Sequence, residues 1–293
     1  MSIHALAVVD PQAEVHPDAI IGPFCVVRGA ARIGKGTELR NHATVYGRAT
    51  LGEGCILFPG CVVGSDPQDL KFRGEDSETI IGDRVRIHEC VTISKGTAGG
   101  GMKTIVGSDT LVMAYAHVGH DCHVGSNVVI ANNAQVAGHV HVGRRAIIGG
   151  MVGIHHFATI GELTIVGSMS GVRFDLPPYM MTDGNPAEPK TINIIGCRRD
   201  GMSEEDIRLL RDAFKILYYD REKNGTPLKE SLQIAKEQIA APPNSPVARL
   251  IDWQQEHLET NIKGRMQEAH RQPVVGGTAG PSTGGVNSAS APA

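Results

Sequence analysis

The sequence predicts a parallel β-helix, an all-β solenoid, followed by a small helical domain. The first observation is an aliphatic column: every sixth residue is Ile, Val or Leu over 3–63, 81–93 and, after a shift of one, 106–172, which makes 26 positions. The second is that glycine directly follows this residue in 12 of the 26 hexads. A helical period of 3.6 or a strand period of two does not produce a column at six. A hexapeptide period is typical of a parallel β-helix, with glycine where the chain turns.

The composition fits a core without large rings and excludes several classes of function. Glycine is abundant, with 36 of 293 residues, whereas aromatic residues make up only 4%. A net charge of −3 provides no positive field for nucleic acid. No apolar run is long enough to span a membrane, and the first residues do not form a secretory signal. We therefore expect no nucleic-acid partner, no membrane span and a cytoplasmic location.

The cysteines support the same compartment. The fourth residue after each aliphatic position is Ala, Cys, Ser, Thr or Val in 24 of the 26 hexads. This small inward position holds Cys25, Cys55, Cys61 and Cys122, where cysteine acts as a small hydrophobic residue. No CxxC pair occurs, so the structural interpretation is preferred.

The chain divides into three predicted parts. The β-helix should cover residues 1–189, a helical domain 190–272 and a disordered tail 273–293, which carries no charged residue. Two stretches leave the repeat, at 65–79 and at 98–104. Long loops in a compact solenoid are usually functional. Because Val63 and Ile81 are 18 residues apart, the first loop keeps the phase, and we interpret it as an excursion from about one coil.

Three helices are predicted after the repeat. The first should run from Ser203 to about Asp220, with Ser203 and Asp206 as a capping pair and an apolar face that contains Ile207, Leu210, Phe214 and Leu217. Thr226-Pro227 and Ser245-Pro246 resemble helix starts. They predict further helices near 227–241 and 246–270.

A resemblance to hexapeptide-repeat proteins adds the three-sided, left-handed form with 18 residues per coil. Residues 18 apart then stack at about 4.8 Å. His120, Gly138 and His156 should form one surface column, and His123 should lie under His141. For His123 and His141 a structural role as stacked rings is the preferred hypothesis.

His120 is the strongest candidate for chemistry. It lies two positions after an inward aliphatic residue and should project outward, while Asp121 beside it can orient the imidazole. Gly138 offers a backbone N–H that can meet an oxyanion. A general base is therefore one hypothesis. A zinc site of His117, His120 and His123 is a second, and a purely structural histidine stack is a third.

Several longer motifs resemble the UDP-N-acetylglucosamine O-acyltransferase family over about residues 3–265. The motifs are IGPFCVV (21–27), QDLKF (68–72), AHVGHDC (116–122), ANNAQVAGHV (131–140), IIGGMVGIHHF (147–157), PPYMMTDGNP (177–186) and NIIGCRRDG (193–201). The resemblance implies a homotrimer with active sites in clefts between adjacent β-helices, and no cofactor or metal. It implies transfer of an (R)-3-hydroxyacyl group from acyl carrier protein to the 3-hydroxyl of UDP-N-acetylglucosamine, the first step of lipid A biosynthesis.

The resemblance also assigns roles by motif. His120 becomes the general base with Asp121 beside it, and Gly138 donates its N–H to the thioester oxyanion. The implied substrate contacts are Asp69 and Lys71 at the sugar or acyl portion, His117, His139, His155 and His156 in the cleft, and Asn193 and Arg199 at the uridine diphosphate. Ser168 and Met169 match the end of the acyl groove.

Three positions depart from the family pattern: His156 replaces Gln, Ile195 replaces Glu, and Asp200 replaces one of two paired Arg residues. An acceptor sugar with an amine at C3 therefore stays open as an alternative. The sibling N-acyltransferase is another, although its extra domain would precede the β-helix, and here the hexads begin at residue 3. A metal-binding β-helix without acyltransferase activity is the third.

Overall fold

The computed structural model describes residues 2–260 and shows a left-handed parallel β-helix whose three faces are sheets A, B and C. Strands are numbered in chain order. Sheet A comprises β1 (Ser2–Ile3), β4 (Ile20–Ile21), β7 (Glu38–Leu39), β10 (Ile56–Leu57), β13 (Arg86–Ile87), β16 (Leu111–Val112), β19 (Val129–Ile130), β22 (Ile147–Ile148), β25 (Ile165–Val166), β27 (Met180–Gly184) and β28 (Ala187–Ile192). Sheet B comprises β2 (Val8–Val9), β5 (Val26–Val27), β8 (Thr44–Val45), β11 (Val62–Ser65), β14 (Thr92–Ser94), β17 (His117–Val118), β20 (Gln135–Val136), β23 (Gly153–Ile154) and β26 (Gly171–Val172). Sheet C comprises β3 (Glu14–Val15), β6 (Arg32–Ile33), β9 (Arg48–Leu51), β12 (Glu78–Ile81), β15 (Lys103–Val106), β18 (His123–Val124), β21 (His141–Val142) and β24 (Thr159–Ile160).

The aliphatic column forms the core of the solenoid, and the predicted fold class is confirmed. Every member of the column from Ile21 to Val172 is buried. The inward cysteines are fully buried as well, and burial raises the pKa of the Cys61 thiol to about 12. Ile3, in the first coil, is 38% exposed because only one side of that coil is covered by a neighbour. Each inner coil thus depends on the coils above and below it.

Both excursions leave the solenoid at the same corner, between a sheet B strand and the next sheet C strand. The first joins β11 to β12, and the second joins β14 to β15. Leu51 pairs with Ile81, and Ile81 pairs with Val106, so these two coils contain 30 and 25 residues. Val63 and Ile81 lie on consecutive faces. The first excursion therefore keeps the phase because it adds two hexads at one corner, with no coil replaced.

The corners share one backbone form. We call the turn from sheet B to sheet C the B–C corner, and the following turn the C–A corner. The third residue of a corner is left-handed, with φ of 58° at Asp121 and 62° at His139 in the B–C column, and 59° at Asn127 and 56° at Arg145 in the C–A column. The hydrogen-bond ladder resumes on either side, so the corner side chains are free to vary.

The strands end in the antiparallel hairpin β27–β28, which extends sheet A. The helices that follow are α1 (Ile194–Arg199), α2 (Glu204–Phe214), a π-helical segment (Lys215–Asp220), α3 (Arg221–Asn224), α4 (Leu228–Gln238) and α5 (Pro246–Thr260). The Ser203 hydroxyl accepts the N–H of Asp206 at 3.0 Å, as the capping pair predicts. Pro246 is the first residue of α5, whereas Pro227 precedes α4. The predicted end of the last helix near 270 and the tail 273–293 lie outside the described residues.

An ion-pair network fixes the helices to the C–A corner. Asp200 follows α1 and accepts two hydrogen bonds from the Arg144 guanidinium at 2.9 and 2.8 Å, and it lies 3.0 Å from Arg145. Glu162 pairs with Arg144 at 2.7 Å and with Arg249 of α5 at 3.2 Å. The hydrogen bonds from Arg144 lower the pKa of Asp200. The acid at 200 therefore has a structural partner in the solenoid. Within residues 2–260, no helix is long and apolar enough to cross a membrane.

Candidate active site

The B–C corners of five successive coils bring the predicted site together. In chain order they carry the first loop, the second loop, His120, Gly138 and His156. A groove of about 600 Å³ runs along sheet B beside this column. Its lining includes Gln68, Ser94, His117, His120, Gln135, Gly138, Gly153, His155, His156, Gly171, Arg173 and Asn185.

The imidazole of His120 is held by a buried carboxylate. Its Nδ1 lies 2.8 Å from Oδ2 of Asp121, whose side chain is fully buried, while the His120 side chain is 15% exposed. An ionised carboxylate only accepts, so Nδ1 carries the proton and Nε2 keeps its lone pair. No residue among 2–260 hydrogen-bonds to Nε2. Such a nitrogen can accept a proton from a substrate.

The carboxylate of Asp121 is held in turn by the second loop. The backbone N–H of Thr97 donates to Oδ1 at 2.8 Å, and the Thr97 hydroxyl donates to Oδ2 at 2.6 Å. The N–H of Asp121 donates to the Thr104 hydroxyl at 2.8 Å. A Cβ at Gly100 would collide with the carboxylate, which explains a glycine at this point of the loop. Asp121 is thus fixed in position by both ends of the loop.

Gly138 lies directly beside the His120 ring, as the column predicts. A Cβ at Gly138 would lie 2.6 Å from Nε2 of His120, so only glycine lets the ring approach this backbone. The N–H of Gly138 has no acceptor within the described part of the chain. The next residue, His139, donates its N–H to the carbonyl of His120 at 2.9 Å and holds the two coils together. A free N–H and a free imidazole nitrogen therefore share one corner of the groove.

The neighbouring histidines differ in their surroundings. His117 lies on the floor of sheet B, with Nδ1 2.7 Å from the Thr92 hydroxyl, and burial, followed by the nearby His120, lowers its pKa. The His139 ring stacks on Phe157 and meets the His120 ring edge-on. His155 lies with Nδ1 3.1 Å from the carbonyl of His156. Because a neutral His117 carries no charge, it leaves the free lone pair of His120 unopposed.

The first loop brings two predicted substrate residues to the base. Asp69 and Lys71 line a narrow recess of about 170 Å³ together with His120, Gly138 and His156. Asp69 accepts the N–H of Lys71 at 3.0 Å, which turns the loop back on itself. This recess places a carboxylate and an ammonium group beside the reacting nitrogen.

Four predicted residues lie away from the groove of one chain. Asn193 is buried; its amide caps α1 through Gly196 and donates to the carbonyl of Leu163. Arg199 is exposed at the end of α1, next to the C–A corner, and has no ion-pair partner among the described residues. Ser168 and Met169 lie at the corner between sheets A and B, and Met169 is 72% exposed. Their substrate roles stay predictions.

The groove also contains residues that the sequence analysis did not assign. Gln68 belongs to the QDLKF motif, and Asn185 to PPYMMTDGNP, so both were inside recognised motifs without a role. Arg173 directly follows the last aliphatic residue of the column, a position that carries His155 one coil earlier. The motif boundaries were a signal for the first two residues, and the coil spacing was a signal for the third.

The zinc set suggested by the sequence does not converge. His117 belongs to sheet B and His123 to sheet C, where His123 stacks on His141 at 5.0 Å. Among residues 2–260 the one group of possible ligand atoms within 4.8 Å of one another is His120, Asp121 and His139. Both oxygens of Asp121 already accept hydrogen bonds from Thr97. The donor set therefore fits an oriented imidazole better than a metal ion.

Comparisons with known proteins agree with this site. A family model described as UDP-N-acetylglucosamine O-acyltransferase, domain 2, matches residues 175–258, and the bacterial hexapeptide transferase model matches 103–138. The acyl-[acyl-carrier-protein]–UDP-N-acetylglucosamine O-acyltransferase of Thermodesulfovibrio yellowstonii is 38% identical over 262 residues, which cover 89% of this chain and 98% of the relative.

Solved structures show the same likeness. LpxA from Acinetobacter baumannii matches with 38% identity and a TM-score of 0.80, over 87% of this chain and 96% of that chain. The UDP-N-acetylglucosamine O-acyltransferase from Moraxella catarrhalis matches with 35% identity and a TM-score of 0.79, over 87% and 97%. The chain therefore belongs to the acyl-[acyl-carrier-protein]–UDP-N-acetylglucosamine O-acyltransferases.

Proposed function

We propose that this protein transfers an (R)-3-hydroxyacyl group from acyl carrier protein to the 3-hydroxyl of UDP-N-acetylglucosamine, the first step of lipid A biosynthesis. The observation that carries the proposal is the pair formed by His120 and Gly138. The oriented imidazole presents a free Nε2 beside a free backbone N–H, in a groove that also contains Asp69 and Lys71. Family membership supplies the substrate class.

In the proposed reaction, Nε2 of His120 accepts the proton of the sugar hydroxyl while its oxygen attacks the thioester carbonyl carbon. The Gly138 N–H donates to the oxyanion of the tetrahedral intermediate. The intermediate then expels the thiolate of acyl carrier protein, which takes up the proton from the imidazolium. Asp121 stabilises that cation and holds the ring. The products are the ester and the free thiol.

An acyl-enzyme is not part of this proposal. Cys122, the thiol closest in sequence to His120, is fully buried and donates to the carbonyl of Ala137 at 3.0 Å. A buried thiol directed into the core is not available to attack a carbonyl in the groove. Direct transfer between the two bound substrates is therefore the mechanism that the geometry supports.

The acyl chain fits the floor of sheet B. The outward positions of β23 and β26 are Gly153 and Gly171, and a Cβ at Gly153 would meet nothing within 4 Å. This flat floor lies between the His120 column and the opposite corner, which carries Met151 and Met169. We place the acyl chain across the glycines, ending near Ser168 and Met169.

A homotrimer would complete the site. The outward residues of sheet A form an apolar ladder from coil to coil: Leu111, Val129, Ile147, Ile165 and Met181. Ile147 is 37% exposed and Met181 43%, so the ladder is open to a partner in the single chain. Packing it against a second copy would bury the ladder and would bring Arg199 of one subunit to the groove of the next. We place the enzyme in the cytoplasm, where both substrates are soluble.

The deciding experiment is product analysis by mass spectrometry with UDP-N-acetylglucosamine and a panel of hydroxyacyl carrier proteins. His120→Ala should lower kcat by at least about 10² with the fold intact, while His123→Ala, on sheet C, should be near neutral. Retention of more than about a tenth of kcat in His120→Ala, or a trapped acyl-Cys122, would contradict the mechanism. Transfer only to a 3-amino sugar would reassign the acceptor.

The trimer has its own test. Sedimentation at micromolar concentration should give the mass of three chains, and Ile147→Asp should shift that mass toward one chain while circular dichroism keeps the β-helix signal. A stable monomer of the parent protein would refute the assembly. The acyl transfer measured in the same samples should fall with the trimer.

A further inference from the structure

We infer that Thr97 is a positioning residue, which holds the Asp121 carboxylate and, through it, the His120 imidazole in the orientation that base catalysis needs. The inference deepens the function proposed above and rests on it. It assigns a role to the second, glycine-rich loop, which contains none of the predicted substrate contacts.

The geometry of Thr97 is that of a two-point clamp. Its backbone N–H binds Oδ1 of Asp121 at 2.8 Å and its hydroxyl binds Oδ2 at 2.6 Å, so the carboxylate plane cannot rotate without breaking one bond. Oδ2 is also the oxygen that accepts Nδ1–H of His120. Both partners are buried, Thr97 at 4% and Asp121 at 3% exposure. Hydrogen bonds to a buried charge are strong and directional.

The loop is folded around this residue. The carbonyl of Thr97 accepts the N–H of Gly100 at 3.1 Å and the N–H of Met102 at 2.9 Å. Gly100 is thereby pressed against the carboxylate, where a Cβ would collide with it. The three consecutive glycines thus let the chain close over Asp121 while all polar groups of Thr97 are used. A loop that served only as a connection would not need four hydrogen bonds on one residue.

The clamp has two effects on the base. It fixes the direction in which Oδ2 points the imidazole, so Nε2 faces the Gly138 corner. It also shares the negative charge of Oδ2 between two donors. Without the Thr97 hydroxyl, the carboxylate would stabilise the protonated imidazole more strongly, and a higher pH would be needed to free the base. Loss of the hydroxyl should therefore change both kcat and the pH profile.

The test uses Thr97→Val, which keeps the backbone N–H and the branched shape. We expect kcat to fall about tenfold to fiftyfold, with KM for both substrates within about twofold, and the acidic limb of kcat/KM to move to higher pH. Thr97→Ser should restore both. The matched control is Thr110→Val, a buried threonine whose hydroxyl donates to the carbonyl of Gly125 at the C–A corner. It should lower the Tm and leave the pH profile unchanged.

A second background separates positioning from a general effect on folding. If Thr97 acts through Asp121, then Thr97→Val should cause little further loss in an Asp121→Asn enzyme. An unchanged kcat and pH profile in Thr97→Val, or full multiplication of the two losses, would overturn the inference. Should Thr97→Val fail to fold, Thr97→Ala carries the same expectations. An active His120→Ala enzyme would instead refute the proposed function itself.

Discussion

The B–C and C–A corners share a backbone and differ in what their side chains do. In the C–A column, Arg84 donates two hydrogen bonds to Asp109 of the next coil at 2.7 and 2.8 Å, and the Ser108 hydroxyl accepts the N–H of Asp83 at 2.9 Å. Those contacts join one coil to the next. In the B–C column, the corresponding positions carry histidines, a buried carboxylate and glycines that leave polar atoms free.

The comparison teaches that the solenoid fixes where a corner residue lies and leaves its chemistry to the side chain. Each turn frees the same backbone groups, yet only the B–C column combines a free N–H with an oriented imidazole. The C–A column contributes indirectly, because Arg144 binds Asp200 and so positions the helix that ends at Arg199. One corner therefore performs the chemistry, and the other holds the frame.

The largest effect should come from a methyl group at equivalent glycines of the two corners. In Gly138→Ala, the new Cβ would displace the His120 ring, and we expect kcat to fall about tenfold to a hundredfold with little change in Tm. In Gly107→Ala, the Cβ would lie 2.6 Å from backbone atoms of Gly125 and Ser126. That variant should lose stability instead. Equal losses of kcat in both variants would erase the distinction between the corners.

The second effect concerns the helix held at the C–A corner. Arg199→Ala should raise KM for the nucleotide sugar about tenfold, because a guanidinium pairs with phosphate oxygens, and should leave KM for the acyl donor nearly unchanged. Arg198→Ala is the matched control, since Arg198 is already paired with Glu204 at 2.6 and 2.8 Å. Steady-state kinetics with each substrate varied will decide. Parallel changes in both KM values would contradict the role of Arg199.

A smaller effect is expected where the two loops of the B–C corner meet. The ammonium of Lys95 lies 2.9 Å from Asp66 and 5.0 Å from the centre of the Phe72 ring, so it supports the loop that carries Asp69. Lys95→Met should raise KM for the nucleotide sugar a few-fold with kcat preserved. Lys103→Met, at an exposed lysine paired with Glu78, should not. A loss confined to kcat in Lys95→Met would assign Lys95 to catalysis and refute loop support.

The smallest effect is a pH dependence of stability at His117. Its pKa is lowered in the folded protein, first by burial, so below its ordinary value of 6.5 the unfolded chain binds the proton more readily than the folded one. Stability should therefore decrease as the pH falls below that value. His117→Gln, measured by Tm between pH 7.5 and about 5.5, should lose less stability than the parent. An equal loss would show that other groups account for the acid sensitivity.

The sequence predicted those parts of the molecule that follow from the repeat. The column at six placed the core, and the interval of 18 placed Gly138 beside His120, because parallel coils allow little freedom in register. Ser203 and Asp206 form their capping pair as expected from local geometry. Family membership followed from motifs that span almost the whole chain.

What the sequence could not predict are contacts made by loops that leave the repeat. Thr97 lies 24 residues before Asp121, and only the path of the second loop brings its hydroxyl to the carboxylate. The pairing of Asp200 with Arg144 spans 56 residues and depends on how the helices dock. The interval of 18 at the first loop was ambiguous between a coil and two added hexads. Periodicity fixes the coils, whereas loop paths depend on tertiary contacts.

The two loops that emerge at the B–C corner make the frame and the specificity elements separable. Each loop starts and ends at one corner, while the strands on either side pair in register across it. The free energy of closing such a loop grows slowly with its length. Residues 66–77 can therefore be exchanged for a segment of different length without disturbing the coil that holds His120. A solenoid of this kind can acquire new acceptor sugars by loop replacement alone, which gives evolution and protein engineering the same simple route.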